Sequence, residues 1–292
     1  MLIFKKSQGW CRHLQKVAYN LVMPELPEVE TVRIGLASKL EGAVIDRVVL
    51  RRLMLRWPIP QDIERLLPGE RILRIRRRAK YLLMDLACGS VVIHLGMSGC
   101  LQIVTGDVVA GKHNHVDVIL TDGQILRYSD PRRFGCIVWQ PFGETHSLLC
   151  NLGVEPLSCH FDGDYLFERS RRRTIAIKKF LMDQQIVVGI GNIYAAETLF
   201  KAGIAPNLQA GQVSYLRYVR LANAIKSVLT KSIFCGGTTF RNFISSDGKP
   251  GCFKQHLLVY GRGGEPCLNC SHLLINTKVG SRSTVWCSFC QS

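Results

Sequence analysis

The hydrophobic pattern of the chain predicts one helix just after Met23. Its apolar residues recur three or four positions apart, at Val29, Val32, Leu36 and Leu40. Pro27 suits the first turn of such a helix, because the N–H that proline lacks would have no partner there. Glu25 and Glu28 lie at the positive end of the helix dipole, which favours acidic side chains, and Gly42 marks the expected end.

From Val44 to about Gln140 the pattern changes to short apolar runs, rich in β-branched residues, that turn signals divide. These runs read VIDRVVL, RILRIRRRAKYLLMDL, SVVIHLGM, VDVILTDGQILRY and GCIVW. The Thr-Asp-Gly-Gln turn inside the fourth run separates two apolar segments and predicts a β-hairpin. The number and spacing of the runs predict a β-sandwich or barrel.

Beyond the β-rich region the periodicity becomes helical. Residues 141–165 are rich in turn formers and indicate a linker, and helical spacing continues from there to about residue 245. The clearest amphipathic segment is YLRYVRLANAIKSVLTKSI, residues 215–233. The sequence contains no run of 18 apolar residues, so it predicts no membrane span.

Four of the twelve cysteines form two Cys-x-x-Cys pairs, sixteen residues apart, at the end of the chain. They are Cys267, Cys270, Cys287 and Cys290. Each pair supplies two thiolates at a tight turn, and four thiolates complete the tetrahedral shell of a zinc ribbon, so we predict one structural Zn²⁺. Free thiols or two disulfides are the alternative.

The other eight cysteines show no pairing pattern. They are Cys11, Cys88, Cys100, Cys136, Cys150, Cys159, Cys235 and Cys252. Because the chain is large and has no export signal, a disulfide framework is not expected. We predict that these cysteines are reduced and mostly buried.

The chain is strongly basic, with 38 Lys and Arg against 22 Asp and Glu and a net charge of +16. Four of these charges lie in the first 22 residues, which contain no acids, so residues 23–292 keep +12. The basicity therefore belongs to the main body of the chain. It indicates a polyanionic partner, although a charge that serves solubility is the alternative.

The first 22 residues look unlike the rest of the chain. They lack both acids and an apolar segment of secretory length, which argues against a signal peptide. A short organelle-type presequence and a start codon assigned too early are both open. We predict that residues 1–22 are an extension outside the fold and not part of the mature protein.

Residues 71–80, RILRIRRRAK, form a concentrated basic segment. Alternate residues of a strand share one face. This spacing predicts a basic face made of Arg74, Arg76, Arg78 and Lys80, with Leu73 and Ile75 on the other side. Four like charges in a row repel one another unless a polyanion lies against them; a solvated strand face is the alternative.

The segment GIGNIYAAETLF, residues 189–200, places two glycines and an asparagine just before a helix that contains Glu197. Backbone N–H groups at the start of a helix can bind an anion without help from a charged side chain. A glycine turn before a helix is common, so this signal is weak by itself.

Two loops in the β-rich region combine turn residues with large side chains. SDPRRFG places Arg132, Arg133 and Phe134 at a turn. An exposed aromatic ring beside arginines suits insertion into a base stack after a nucleotide has flipped out, whereas a core phenylalanine is the alternative. HLGMSG offers Met97 between glycines, where filling the core is the commoner role of methionine.

Seven motifs follow one another in a characteristic order: MPELPEVE, RRAKYLL, HLGMSG, YSDPRRFG, GIGNIYAAE, SDGKPG and the terminal cysteine pairs. Together they resemble the bacterial formamidopyrimidine-DNA glycosylase family over residues 23–292. The related endonuclease VIII branch shares the Pro-Glu start and the ribbon. That branch usually begins Pro-Glu-Gly-Pro, whereas Leu26 stands at the third position here.

The resemblance implies an α+β fold with three folded parts. They are an N-terminal catalytic β-sandwich with an N-terminal helix, a helical helix-two-turn-helix domain that binds DNA, and a C-terminal zinc ribbon. The predicted boundaries are 23–150, 151–257 and 258–292, after the extension 1–22.

The resemblance also implies a bifunctional base-excision repair enzyme. Such enzymes excise 8-oxoguanine and formamidopyrimidines and then cut the DNA by β,δ-elimination. The amine of the N-terminal proline forms a Schiff base with C1′ of the sugar, and an adjacent carboxylic acid shuttles protons. Pro24 and Glu25 match these residues, which makes Met23 the expected start. Lys80 matches the lysine of β-elimination, and Arg282 matches the arginine of δ-elimination.

The family pattern further implies the contacts with DNA. His113, Arg132 and Arg173 would contact the duplex, with Lys178 and Asn192 near phosphates. Met97, Arg132 and Phe134 would fill the void that a flipped base leaves. The implied partner is double-stranded DNA with oxidised bases or abasic sites, bound by a monomer in the bacterial cytoplasm, associated with the nucleoid and not with a membrane.

Two other functions stay open at the level of sequence. In a chain that keeps residues 1–22 the nitrogen of Pro24 is an amide and cannot act as a nucleophile. Such a chain would be a non-catalytic zinc-ribbon protein that binds damaged DNA. An endonuclease VIII-type enzyme for oxidised pyrimidines would differ in its base pocket. There Leu26, Met97, Phe134 and the SDGKPG loop favour the purine enzyme.

Overall fold

The computed structural model describes residues 23–106, 108–238 and 252–292. The strands of its N-terminal half are β1 (Ile45–Leu50), β2 (Arg74–Arg78), β3 (Tyr81–Leu86), β4 (Gly89–His94), β5 (Cys100–Thr105), β6 (Asn114–Leu120), β7 (Gln124–Ser129) and β8 (Cys136–Pro141). Within these residues they form two four-stranded antiparallel sheets, with the orders β1-β6-β7-β5 and β2-β3-β4-β8. Apolar residues from both sheets share one core, which confirms the predicted β-sandwich.

Strands β6 and β7 form the hairpin that the Thr-Asp-Gly-Gln turn predicts. Val118 pairs with Leu126, and Ile119 pairs with Ile125. At the turn Gly123 has a φ of +85°, a left-handed conformation that glycine adopts without a steric penalty. The side chain of Asp122 accepts the N–H of Gln124 at 2.9 Å, so the aspartate closes the turn locally.

The predicted N-terminal helix, α1, spans Leu26–Leu40. Its apolar residues at helical spacing are buried in the sandwich core, because this spacing places them on one face of the helix. At its start the N–H of Glu25 donates to the carboxylate of Glu28 at 3.0 Å, which satisfies one of the free donors of a helix N-terminus. The helix ends two residues before Gly42, whose φ is +91°.

The other helices pack mainly in the second half of the described chain. They are α2 (Ile63–Leu66), α3 (Ser147–Cys150), α4 (Gly163–Ser170), α5 (Ile177–Met182), α6 (Asn192–Ala202) and α7 (Tyr215–Phe234). A second core forms between α4, α5, α6 and α7, and the amphipathic segment 215–233 is confirmed as part of α7. None of the helices in the described residues is long and apolar enough to cross a membrane.

The last part of the chain is a two-stranded ribbon that docks on α6. Strands β9 (Ile275–Val279) and β10 (Arg282–Trp286) are antiparallel. Val259 and Val285 pack against Phe200 of α6. The buried carboxylate of Glu197, also on α6, accepts three consecutive backbone N–H groups, from residues 258–260, at 2.8–3.0 Å. These bonds fix the start of the ribbon to the helical part.

The cysteines outside the ribbon are free in the described residues, but the prediction that they are mostly buried is wrong. Only Cys136 is buried; Cys88, Cys100 and Cys235 are half-buried, and Cys150, Cys159 and Cys252 are exposed. Cys11 lies outside the described residues. A thiol is small and only weakly polar, so single cysteines cost little at the surface.

Candidate active site

The carboxylate of Glu25 lies at the N-terminus of α6. It accepts the N–H of Gly191 at 2.6 Å, of Ile193 at 2.9 Å and of Tyr194 at 3.4 Å. The backbone of GIGN therefore binds an anion, as the sequence indicates, but in the described structure the anion is a side chain of the protein itself. The positive end of the helix dipole and three aligned donors orient this carboxyl group.

Gly191 is required for this approach. A Cβ at this position would lie 2.5 Å from Cδ and Oε1 of Glu25, so any side chain would displace the carboxylate. The close approach of the Glu25 carboxylate thus explains why a glycine is needed at position 191, which the sequence motif alone does not reveal.

Glu25 is nearly inaccessible to solvent, with 2% of its surface exposed. Burial raises the pKa of its carboxyl group, and the nearby charge of Glu28 adds to the increase. Lys80 and the backbone N–H groups act in the opposite direction but do not cancel the effect of burial. A carboxyl group with a raised pKa can carry a proton at a higher pH than an ordinary glutamate and can serve as a general acid.

Lys80 is buried beside this carboxyl group, which corrects the predicted row of four cations. Ala79 has a φ of +55°, so the chain turns after β2 and Lys80 leaves the strand alternation. Burial lowers the pKa of Lys80, the charges of Glu25 and Glu28 raise it, and Arg282 lowers it further. The predicted catalytic side chains of Glu25 and Arg282 therefore both lie within electrostatic range of Lys80.

The remaining cations of the basic segment do not form a free, uniform face. Arg76 pairs with Asp85, and Arg78 pairs with Glu155 at 3.1 Å. Arg74 and Arg76 stay exposed as predicted, although Arg76 is paired, while Leu73, expected on the apolar side, is 55% exposed. Asp85 and Glu155, which belong to other segments, neutralise two of the four predicted cations. The periodicity of a single strand contains no information about such partners.

Glu155 holds the turn that carries Lys80. Its carboxylate accepts the N–H of Ala79 at 2.7 Å and pairs with Arg77 at 2.7 Å. Arg78 donates to the carbonyl oxygens of Leu152 and Gly153 at 2.8 and 2.6 Å. No pattern in the sequence predicts this role of Glu155, because a single acid in a linker carries no signal of a partner 77 residues away.

Pro24 is half-buried directly before Glu25. In the 292-residue chain its nitrogen is bonded to Met23 and so is an amide, which is not a nucleophile. A chain that begins at Pro24 would have a secondary amine at this place, adjacent to a buried carboxyl group.

Two polar side chains of the helical part hold the ribbon hairpin. Lys178 donates to Oγ1 of Thr284 at 2.8 Å, and Asn192 donates to the carbonyl oxygen of Ser283 at 3.1 Å. Burial lowers the pKa of Lys178 to about 8. Both contacts seat the start of β10, so that Arg282 is exposed beside the acid cluster, by which we mean Glu25 and Glu28 with the adjacent Lys80.

A buried carboxylate shapes the SDPRRFG loop. Asp130 accepts the hydroxyl of Ser98 at 2.6 Å and the N–H of Gly135 at 2.9 Å. The guanidinium of Arg132 stacks over the ring of Phe134, 4.6 Å from its centroid. Phe134 is 45% exposed and is therefore not the core residue of the alternative interpretation.

The HLGMSG loop packs against the SDPRRFG loop. Gly96 leaves no room for a side chain, because a Cβ would lie 2.4 Å from the backbone N of Gly135. Burial lowers the pKa of His94 to about 4. The neutral ring accepts the N–H of Gly96 at 2.9 Å, and Met97 is half-buried. Ser98 therefore joins the two loops through Asp130.

His113 and Arg173 are exposed at different places. The carbonyl oxygen of His113 accepts the N–H of Asp130 at 3.0 Å, next to the SDPRRFG loop. Arg173 lies between α4 and α5, where its carbonyl oxygen accepts the N–H of Gly211 at 2.8 Å. The SDGKPG segment lies outside the described residues.

Glu28 is a second buried acid whose partners the sequence did not reveal. It accepts the hydroxyl of Tyr194 at 2.6 Å, and the N–H and hydroxyl of Thr238 at 2.8 and 2.6 Å. With the N–H of Glu25 as a further donor, this carboxylate ties α1 to α6 and to the end of α7. The sequence predicted only that Glu28 lies near the positive end of the dipole of α1.

The four cysteines of the ribbon converge as the spacing predicts. Their Sγ atoms all lie within 4.8 Å of one another. Sγ of Cys267 and Cys290 are 3.9 Å apart, and those of Cys270 and Cys287 are 3.4 Å apart. A tetrahedral zinc site with Zn–S bonds of about 2.3 Å has sulfur atoms about 3.8 Å apart. The donor set and its size therefore fit a metal ion of this kind.

Models of two protein families match the chain. The formamidopyrimidine-DNA glycosylase N-terminal domain matches residues 23–137, and the formamidopyrimidine-DNA glycosylase H2TH domain matches residues 152–244. The chain belongs to the formamidopyrimidine-DNA glycosylase family. Both matches agree with the fold, since the first covers most of the sandwich and the second covers helices α4–α7.

Members of this family are similar to the chain over almost its whole length. Formamidopyrimidine-DNA glycosylase of Stenotrophomonas maltophilia is 60% identical over 269 residues, which cover 92% of this chain and 100% of that protein. The enzyme of Xanthomonas euvesicatoria is 57% identical over 270 residues, with the same coverage. Identity at this level fixes the fold and family of the region that aligns.

Solved structures of the family agree. The Lactococcus lactis protein, in a complex with DNA that contains an abasic site, has a TM-score of 0.84 and 33% identity, covering 91% of this chain and 99% of that one. The MutM (Fpg) protein of Thermus thermophilus has a TM-score of 0.82 and 34% identity, covering 92% and 98%. The β-sandwich, the helical part and the ribbon are therefore shared with this family.

Proposed function

We propose that this DNA glycosylase of base-excision repair removes oxidised purines, chiefly 8-oxoguanine and formamidopyrimidines, with the amine of Pro24 as its nucleophile. The observation that carries the proposal is the carboxyl group of Glu25. It is buried, has a raised pKa and is held by three N–H donors directly beside Pro24. Covalent catalysis by an amine needs such a group to supply and remove protons.

The amine of Pro24 attacks C1′ of the damaged nucleotide, and the bond between C1′ and the base breaks as the base takes up a proton. The bond between C1′ and the ring oxygen then breaks and the oxygen takes up a proton, which opens the sugar and leaves an iminium ion. The iminium ion draws electrons from the sugar and acidifies the hydrogen on C2′. Loss of that proton expels the 3′ phosphate, and a second elimination expels the 5′ phosphate. Lys80, in the acid cluster, would assist the first elimination. Arg282, on the ribbon, would assist the second.

This chemistry requires that the working enzyme begin at Pro24. Two observations support that start. The N-terminal family domain matches from residue 23 onward. The alignment with the Stenotrophomonas maltophilia enzyme covers all of that enzyme but only 92% of this chain. We therefore infer that residues 1–22 and Met23 are absent from the active form. We also propose that this form acts as a monomer in the bacterial cytoplasm at the nucleoid.

A paired measurement of base specificity tests the proposed substrate. With one duplex that contains 8-oxoguanine and one that contains thymine glycol, we expect faster excision of the oxidised purine by the chain that begins at Pro24. Product strands resolved on a denaturing gel give both rates, and an undamaged duplex serves as the control. Faster release of thymine glycol would assign the enzyme to the endonuclease VIII branch instead.

The ribbon cysteines would hold a structural Zn²⁺. Four thiolates complete a tetrahedral shell and leave no position for substrate. Their role would be to hold the hairpin that presents Arg282, since a small two-stranded ribbon buries little apolar surface of its own. Lys178 and Asn192 then join that hairpin to the acid cluster.

Replacement of one ribbon thiol tests this role. Cys287→Ser is expected to lose stoichiometric zinc and to bind duplex DNA more weakly, because three thiolates hold the hairpin poorly. Metal analysis of the purified protein and a DNA titration measure both effects. The matched variant Cys159→Ser, at an exposed thiol outside the ribbon, should keep its metal. One tightly bound zinc per chain in Cys287→Ser would rule out these four ligands.

Replacements of Phe134 and Arg132 separate wedging from charge in the SDPRRFG loop. Each lost phosphate contact lowers the slope of log affinity against log salt by about 0.9 on duplex DNA. Phe134→Ala should leave this slope unchanged but slow base excision, because unstacking costs a few kcal/mol that an inserted ring offsets in part. Arg132→Ala should lower both the slope and the excision rate.

An abasic duplex provides the control, since no base has to leave the stack. On that DNA, Phe134→Ala should recover most of its strand-cutting activity. If the variant is equally impaired on abasic and 8-oxoguanine duplexes, Phe134 supports the loop by packing and is not a wedge.

A further inference from the structure

Cys235 and Cys252, which are not among the four ribbon cysteines, meet at the end of α7. Cys235 is the residue that follows α7, and Cys252 directly precedes the 3-10 helix Phe253–His256. The N–H of Cys252 donates to the carbonyl oxygen of Cys235 at 3.0 Å. Sγ of Cys252 lies 3.5 Å from the same oxygen. Two thiols that are 17 positions apart in the sequence are thus adjacent in space.

The surrounding backbone holds this pair in place. The N–H of Phe253 donates to the carbonyl oxygen of Gly237 at 3.1 Å, so the two segments are joined by hydrogen bonds on both sides. Phe253 is buried in the core between the helices, which anchors the residue next to Cys252. The N–H of Gly237 in turn donates to Ser232 in the last turn of α7 at 2.8 Å. The proximity of the thiols therefore follows from the packed fold.

The two thiols differ in their access to solvent. Cys252 is exposed, whereas Cys235 is half-buried. Burial raises the pKa of Cys235, and its contact with the thiol of Cys252 raises it further. An oxidant from solution therefore meets Cys252 first, with Cys235 beside it as the resolving thiol.

We propose that Cys235 and Cys252 form a reversible intramolecular disulfide with a low-molecular-weight disulfide, such as glutathione disulfide, as the oxidant. The thiolate of Cys252 attacks one sulfur of the oxidant and expels one glutathione thiolate, which leaves a mixed disulfide on Cys252. Cys235 then gives its proton to solvent, attacks Sγ of Cys252 and expels the second glutathione. Two protein thiols lose two electrons and two protons, and one glutathione disulfide becomes two glutathione thiols.

The bond would join the end of α7 to the 3-10 helix next to the hydrogen bonds of Glu28. Thr238, three residues after Cys235, donates twice to Glu28, and Glu28 accepts the N–H of Glu25. The thiol pair is therefore connected through a short stretch of backbone to the acid cluster. An exposed disulfide of this kind is expected to be labile rather than permanently oxidised.

Titration of the zinc-loaded full chain with glutathione buffers tests the proposal. The samples are quenched with an alkylating reagent, digested without reductant and mapped by mass spectrometry. We expect a peptide that links Cys235 to Cys252 to appear as the oxidised share of glutathione rises and to vanish when the share falls. The exposed Cys159 serves as the comparison thiol and should stop at the mixed disulfide with glutathione.

The variant Cys235→Ser isolates the resolving step. Without the second thiol, the mixed disulfide on Cys252 should accumulate at least about tenfold above its level in the unaltered chain, because ring closure no longer removes it. The metal content of each sample is measured in parallel and should stay constant while the linked peptide forms.

Three results would overturn the proposal. One is a mixed disulfide on Cys252 that persists in the unaltered chain to the same extent as on Cys159. Another is the absence of the linked peptide at every buffer ratio. The third is a linked peptide that forms only in samples that have lost their metal, since the pair would then be brought together by damage to the ribbon.

Discussion

Sodium borohydride, added during reaction with an 8-oxoguanine duplex, is expected to trap a covalent protein–DNA adduct with the chain that begins at Pro24. The full 292-residue chain should yield none, because the nitrogen of Pro24 is then an amide whose lone pair is delocalised into the carbonyl group. The adduct is measured as a band of reduced mobility on a denaturing gel. The expected effect is complete, since the reducible iminium ion cannot form without a free amine.

The two chains differ only in their N-terminus, so each is the control of the other. Mass spectrometry before the reaction must show that residues 1–22 are intact in the longer chain. Equal adduct yields from both chains would then show that another amine is the nucleophile. The N-terminal mass of protein isolated from its native host shows which form the cell contains.

Glu25→Gln is expected to lower the rate of base excision by about 10²–10⁴-fold, the range for loss of a general acid or base. The amide cannot donate the proton that the carboxyl group supplies, and its NH₂ group would face backbone donors that now bond to a carboxylate at 2.6 and 2.9 Å. On an abasic duplex the loss should be smaller, because no base has to be protonated. Single-turnover rates on both duplexes measure the difference.

Glu41→Gln is the matched control for this change. Glu41 is exposed at the other end of α1, where its carboxylate accepts the N–H of Ile75 at 2.8 Å. This variant should excise bases at the original rate. An unchanged excision rate in Glu25→Gln would exclude Glu25 as the proton donor.

The pH dependence of excision follows from the same carboxyl group. Because burial raises the pKa of Glu25, its protonated fraction declines with rising pH only above the range of an ordinary glutamate. The excision rate should therefore fall as the pH rises through that raised value, and the fall should be absent from Glu25→Gln. A rate that rises through the same range would assign Glu25 to the role of a base.

Local patterns of the sequence were sufficient to predict several elements. Helix α1 follows from apolar residues at helical spacing, and the β6–β7 hairpin follows from an Asp-Gly turn between two apolar runs. The convergence of the four ribbon cysteines follows from their spacing, because each Cys-x-x-Cys pair closes its own turn. In all three cases the decisive interactions lie within a few residues or within one short ribbon.

The site was predictable only in part. The order of the motifs matches Pro24, Glu25, Lys80 and Arg282 to the catalytic positions of the family. Their catalytic roles in this chain remain predictions. Strand alternation failed at Lys80, because the positive φ of Ala79 ends the alternation one residue earlier. It also failed to show the acids that neutralise Arg76 and Arg78, since Glu155 arrives from a different segment.

The family, the β-sandwich, the amphipathic helices and the convergence of the four ribbon cysteines were all predictable from the sequence, because they depend on local spacing or on motifs in a fixed order. The binding partner of the GIGN backbone, in contrast, is apparent only in the folded chain. Glu25 and Gly191 are 166 positions apart, and nothing local to either residue encodes their contact. It arises when the sandwich and the helical part pack together, and burial in that interface is what raises the pKa of the Glu25 carboxyl group. The same packing brings Cys235 to Cys252, because a hydrogen bond between distant segments depends on the whole fold and on no single stretch of it.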